Sequence, residues 1–188
     1  MRNKNANERG NNMSNPVLSA IADRRSIRAY TKEKLTQEQL DAILAAAVQA
    51  PSARNAQPWH FSVVQDGGIL AEINAEVSKN LNTDAGDIFY AAPAVIFIGA
   101  NVRGPLPRWA MLDCGIAVQT VALAAHSLGL GSVILGMPDA AFAGPRGDYF
   151  KKLVKIPADY DFGVAIAIGR AAASKDAHPV EPGKISYV

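Results

Sequence analysis

From Trp109 to Leu128 the chain runs twenty residues with a single formal charge, Asp113. The spacing predicts one long helix, with Gly129 placed to end it as the residue after the C-cap. A helix apolar nearly all round has no face to offer water. It must be covered on every side, by a core or by a second subunit. A membrane span is excluded, because Asp113, Gln119, Thr120, His126 and glycines interrupt the apolar stretch from Ala110 to Leu135. The rest of a 188-residue chain must therefore supply the layers that cover this helix, most simply within one domain.

Those layers are legible. Asn15-Pro16 is an N-cap with proline at the first helical position, followed by an apolar face of Val17, Leu18 and Ile21 up to about Arg24. Thr36 with Gln39 forms a capping box, with Leu35 and Leu40 as a hydrophobic staple, and Pro51 stops the helix that follows. A strand is predicted at about 61–65, a helix over 69–81 and a shorter helix over 148–154. Ala94-Val95-Ile96-Phe97-Ile98 is a continuous apolar run, the pattern of a strand covered on both faces. Ser132–Leu135 and Val164–Ile168 are two more buried strands. The tail from Ala171 is irregular and closes in Ile185-Ser186-Tyr187-Val188, expected to add a terminal strand at a subunit interface. Residues 1–13 are expected to be disordered, with a single domain over 14–188.

Charge and cysteine content remove several classes. The net charge is +2, and residues 1–13 hold three cations against one carboxylate, so the body is neutral. Nucleic acid and anionic membrane are poor partners for such a body. Cys114 is the only cysteine, so no internal disulfide exists, and its apolar surroundings mark it as a small buried hydrophobe rather than a nucleophile. The first dozen residues lack the apolar segment of a signal peptide, and a cytoplasmic location is expected. Three histidines without carboxylate or thiol at ligand spacing give no metal site, and His126 reads as a core residue. Gly129-Leu130-Gly131 follows a helix and opens a strand, the reverse of a dinucleotide turn.

Two segments carry chemistry. Arg24-Arg25-Ser26-Ile27-Arg28 concentrates donors that suit a phosphate, since guanidinium grips two oxygens at once. Pro51-Ser52-Ala53-Arg54-Asn55-Ala56-Gln57-Pro58-Trp59 is a structured loop whose amides and ring could read the edge and face of a heterocycle. Either alone has a plain alternative, a solvated surface or a packed corner. Together they suggest a nucleotide-like cofactor. Spacing leaves a Ser-His-Asp triad open, but no nucleophile-elbow pattern supports one and no Walker A loop occurs, which agrees because a redox cofactor carries its own chemistry.

The order of these segments resembles the flavin-dependent nitroreductase family. The resemblance continues through Ala92–Ile96, Asp113–Ala117, Leu123–Gly131 and Gly163–Gly169. It implies an α+β fold: a three-layer α/β/α sandwich around a mostly antiparallel sheet, assembled as an intertwined homodimer with two FMN molecules at the subunit interface. Carried over by motif, Arg24, Arg25 and Ser26 meet the FMN phosphate and ribityl chain, and Arg28 lies near the flavin pyrimidine edge. Pro51, Ser52, Ala53 and Asn55 come from the partner subunit, while Gln57 and Trp59 shape that loop. Ile134, Leu135 and Gly136 present backbone amides to the flavin N5 and O4; the family often has an acidic residue where this chain has Leu135. Lys184 is the expected second phosphate cation, with Arg170 and His178 as alternatives. The implied activity is reduction of nitroaromatics, quinones or similar flat acceptors by NADH or NADPH, with donor and acceptor alternating in one pocket. A non-catalytic flavin-binding protein, a cofactor-free dimeric module, and a dehalogenase or azoline dehydrogenase are the alternatives. The chain is short for the family, and longer insertions that cover the active site are missing.

Overall fold

The computed structural model describes residues 15–179 and 181–188; the tail expected to be disordered over 1–13 lies outside the described residues. In chain order the elements are α1 (Pro16–Asp23), α2 (Gln37–Ala47), β1 (Trp59–Val64), α3 (Gly67–Asn80), β2 (Ala94–Ala100), α4 (Pro107–Ser127), β3 (Gly131–Leu135), α5 (Asp139–Phe142), α6 (Gly147–Leu153) and β4 (Asp161–Gly169). A 3₁₀ turn spans Ala53–Asn55. The strands form one sheet in the order β1-β2-β4-β3, with every neighbouring pair antiparallel.

β2 shows why the fold has three layers. All seven of its residues are buried, and successive side chains of a strand point to opposite faces. Ala94, Ile96 and Ile98 pack with Leu40 and Ile43 of α2 and with Ala117, Val121 and Ala125 of α4. Val95 and Phe97 face the other way, into Ile73 and Val77 of α3, Phe142 of α5 and Phe150 of α6. There Phe142 stacks on Phe162 with ring centroids 4.8 Å apart. The α+β sandwich with a central antiparallel sheet is the observed architecture.

The caps read from sequence are present. Asn15 Oδ1 accepts from Val17 and Leu18 amides, and Thr36 and Gln39 complete the capping box reciprocally. Gly129 takes φ +73°, a conformation that favours glycine. Two elements went unpredicted: the single-turn helix α5 and the 3₁₀ turn, both too short to show a period.

α4 is covered on one side only. Ala110, Cys114, Ala117, Val121 and Ala125 are buried against the sheet, whereas Trp109, Met111 and Leu112 are 42, 49 and 54% exposed. Among the described residues α4 is the one helix long and apolar enough to cross a membrane, and 44% of that apolar window is buried inside the fold. Val17, Leu18 and Ile21 of α1 are also exposed, so one apolar face of the single chain stands open. The expected terminal strand does not form here: Ile185, Tyr187 and Val188 are exposed and outside the sheet. A strand needs a neighbour to take its backbone hydrogen bonds, and within one chain this segment has none.

Candidate functional site

The arginine segment leaves α1 and is laid along the sheet edge by its backbone. Ser26 forms a parallel bridge to Ser132 of β3, and the Ile27 amide donates to the Ser132 carbonyl at 2.9 Å. Tyr30 then bridges Ala171, beyond β4, while Ala172 donates to Ala29 and Thr31 to Arg170. Ile27 and Tyr30 are the buried anchors. The Tyr30 hydroxyl donates to the Ile27 carbonyl at 2.7 Å and lies 3.3 Å from that of Ala167. Burial pushes this phenol far above its ordinary range, against a smaller lowering by the Arg28 charge. Gly131 permits the close approach: a Cβ there would stand 3.0 Å from Ile27 and 3.2 Å from Ala171.

With the anchors turned inward, the cations take separate places. Arg25 folds back, its Nη1 donating to the carbonyls of Ala22 and Arg24 at 2.6 and 2.8 Å. It satisfies carbonyls at the end of α1 that the helix itself leaves unbonded. Arg24 keeps a buried Nε without a hydrogen-bond partner. It lines a cavity of about 330 Å³ together with Arg25, His126, Gly129, Ser132 and Lys175. A second hollow of about 270 Å³ lies alongside, walled by Ser26, Arg28, Ala29, Ser174 and Lys175. Buried donors are nearly always bonded, so an unspent guanidinium donor beside a cavity with a second cation fits an anion. Arg28 is exposed, with its guanidinium carbon 6.0 Å from the centre of the Tyr90 ring.

Lys175 was not read from the sequence. Its place depends on the chain after β4 folding back onto Ala29, which no local pattern announces. The expected cation Lys184 instead pairs with Glu181 at 3.2 Å and is largely exposed. The alternatives are occupied as well. Arg170 grips Glu33 through two bonds of 2.6 and 3.1 Å, and His178 Nδ1 donates to the Pro179 carbonyl. None of the three lines either arginine cavity. His126, expected as a core residue, lines the first of them.

The second segment is held in a strained form. Arg54, Asn55 and Gln57 have φ of 50°, 55° and 47°, left-handed values that cost a residue other than glycine about 1–3 kcal/mol. Inside the loop the Gln57 amide donates to Ser52 Oγ and the Gln57 side chain to Asn55 Oδ1. From outside, both carboxylate oxygens of Asp113 lie 3.2 Å from the Ala53 amide. Trp59 is buried and packs near Phe61, a structural role. Pro51, Arg54 and Asn55 stay exposed, and among the described residues the loop contributes nothing to the arginine cavities. Within one chain the two segments therefore do not meet.

The third candidate element closes the edge. β3 pairs with β4 on one side only, and its other side meets the arginine segment at Ser132. Further along, Ile134 and Gly136 are exposed while Leu135 is buried. The arginine segment and the end of β3 thus share one edge, with the cations at one end and the exposed Ile134 and Gly136 at the other. Cys114, under the sheet, has its thiol pushed up to about 12 by burial and, less, by the Asp113 charge. It is not a nucleophile. No cluster of metal-ligating side chains occurs among the described residues.

Comparison with known proteins agrees with this geometry. The model of the nitroreductase family matches residues 21–170. A protein of Archaeoglobus fulgidus, provisionally named an NADH dehydrogenase/NAD(P)H nitroreductase, is 34% identical over 165 residues, covering 85% of this chain and 87% of its own. A nitroreductase of Desulfitobacterium hafniense, solved with bound FMN, superposes with a TM-score of 0.85 at 36% identity, over 92% of this chain and 97% of that one. A second FMN-bound nitroreductase, from Bacteroides fragilis, gives 0.84 at 26% identity over 93% and 100%. With the family model matched from 21 to 170 and a relative 34% identical over 85% of this chain, the protein belongs to the nitroreductase family.

Proposed function

We propose that the protein is an FMN-dependent reductase that uses NADH or NADPH to reduce flat acceptors such as nitroaromatics and quinones. The observation that carries this is the buried, unpartnered Nε of Arg24 beside a cavity that also holds Lys175. Those groups fit the phosphate of the cofactor that family relatives bind. Arg24 would take the phosphate through its free donors, Lys175 would supply the second charge, and Ser26 would reach the ribityl chain. Arg25, committed to α1, would act through its backbone. Arg28 would stand at the pyrimidine edge, where a cation favours the negatively charged reduced state. Backbone groups of Ile134, Leu135 and Gly136 would face the redox-active edge. When bound, FMN supplies the hydride and electron chemistry; the chain's own residues bind it, orient it and set its electrostatics.

The loop Pro51–Asn55 would complete the site from a second copy of the chain. Its separation from the arginine cavities and the open apolar face of α1 and α4 support a homodimer, and obligate interfaces of this kind bury on the order of 2,000–5,000 Å². Neutral residues such as Ala53, Ile134 and Gly136 would line the flavin face and leave room for one flat ligand at a time. Donor and acceptor would then alternate, giving parallel double-reciprocal lines. Protein reconstituted with FMN should be yellow, release FMN rather than FAD on denaturation, and scatter light as a dimer at low micromolar concentration. Protein that takes up no FMN in titration, or a folded monomer, contradicts the proposal.

A further inference from the structure

We propose that Asp113 is a positioning residue: its buried carboxylate holds the Pro51–Gln57 loop in the shape that the flavin site of the neighbouring subunit requires. This rests on the shared flavin site proposed above.

Asp113 is the only formal charge in the stretch Trp109–Leu128 and is 2% exposed. An aspartate in such a place opposes folding unless its charge is compensated. Among the described residues one group bonds to that carboxylate. Both oxygens converge on the Ala53 amide, 60 residues away in sequence. Ala53 opens the 3₁₀ turn, so its N–H has no partner inside that turn. Among the described residues no other side chain from outside the loop bonds to residues 51–57. The loop's remaining ties are internal, through Ser52 and Asn55, and its exit is fixed where the Asn101 amide donates to the Pro58 carbonyl at 2.7 Å. Three left-handed residues within four positions would relax if the middle of the loop were released. The Asp113 bond therefore presets the loop before cofactor arrives, and preorganisation of this sort strengthens binding without new contacts.

The test compares wild type, Asp113→Asn, which keeps an acceptor oxygen without the charge, and Asp113→Leu, which keeps bulk without the acceptor. Amide hydrogen exchange on the FMN-free protein reads the tie directly. Ala53 should exchange at least about tenfold faster in D113L and close to the wild-type rate in D113N, with the sheet amides unchanged. FMN titration should show a Kd raised about tenfold in D113L and by less than about threefold in D113N. Unchanged Ala53 protection in D113L, or an unchanged Kd, overturns the proposal. So does faster exchange throughout the sheet, which would make Asp113 a general support of the fold.

If D113L does not fold, Ala53→Pro breaks the same tie from the other side. Proline is tolerated at the first helical position, and Ser52 already has the extended backbone (ψ 155°) that a following proline needs. A53P should raise the Kd for FMN about tenfold with the sheet amides unchanged; an unchanged Kd, or faster exchange throughout the sheet, overturns the inference. Failure of the wild type to bind FMN would instead overturn the flavin reading, while the exchange comparison still decides whether Asp113 holds the loop.

Discussion

Tyr30→Phe isolates one hydrogen bond that joins stability to the site. The ring is 9% exposed, and phenylalanine keeps its packing while deleting the hydroxyl. That hydroxyl donates to the Ile27 carbonyl at 2.7 Å; the Ala167 carbonyl, at 3.3 Å, is a weaker partner. A neutral hydrogen bond contributes a net 0.5–1.5 kcal/mol or so, and a buried acceptor left unpaired raises the cost of deletion to about 1–3 kcal/mol. Ile27 O is such an acceptor, so the expected loss is about 1–2 kcal/mol. In a chain of this length that lowers the thermal midpoint by about 2–4 °C per kcal/mol. Urea unfolding should show a lower midpoint at unchanged slope.

The pH dependence gives an independent check. Burial raises the Tyr30 pKa in the folded state, so the neutral phenol is the form that folding favours. Its contribution is complete below the unfolded pKa and is lost as pH rises towards the folded one. Wild type should therefore lose stability above about pH 10 more steeply than Y30F. Because Ile27 lies between Ser26 and Arg28, the variant should also bind FMN several-fold more weakly. A Y30F protein as stable as wild type, with the same alkaline slope, would mean that the Tyr30 hydroxyl contributes nothing to the fold.

Three further outcomes follow from the same structure. Arg24→Ala should weaken FMN binding by about 1.5–3 kcal/mol, or roughly 10- to 150-fold in Kd, because it removes a charge-assisted donor set; fluorescence titration measures it. Cys114, with its thiol pushed up to about 12, should react with a thiol reagent near neutral pH only after denaturation. Val121→Asp should abolish soluble folding, since the position is fully buried in α4 and offers a new carboxylate no partner; soluble protein of wild-type thermal midpoint would contradict this.

Local chemistry made much of the fold legible. Capping residues, the stop at Pro51 and the run Ala94–Ile98 each act within a few positions, so their outcome could be read directly. The apolar wrap of α4 announced a covered helix, yet the single chain covers one side of it. The arginine segment was legible as donors, but not the division of labour within it. Arg25 turns back to Ala22, a contact decided by how the chain leaves α1. Lys175 and the Asp113–Ala53 tie were out of reach for another reason. Both depend on distant segments brought together by the sheet, and no spacing within either segment encodes that meeting. The terminal segment shows the reverse limit: Ile185-Ser186-Tyr187-Val188 has strand-forming residues, but strand structure requires a neighbour.

If NAD(P)H reduces a flavin held at the Arg24–Arg28 edge, anaerobic stopped-flow absorbance will follow the reduction. FMN-reconstituted protein mixed with NADH or NADPH should lose its flavin absorbance with saturating dependence on at least one donor, and regain it when a quinone or nitroaromatic is added. Flavin that stays oxidised with both donors while dithionite bleaches it would contradict the account and leave a flavin-binding protein without reductase activity.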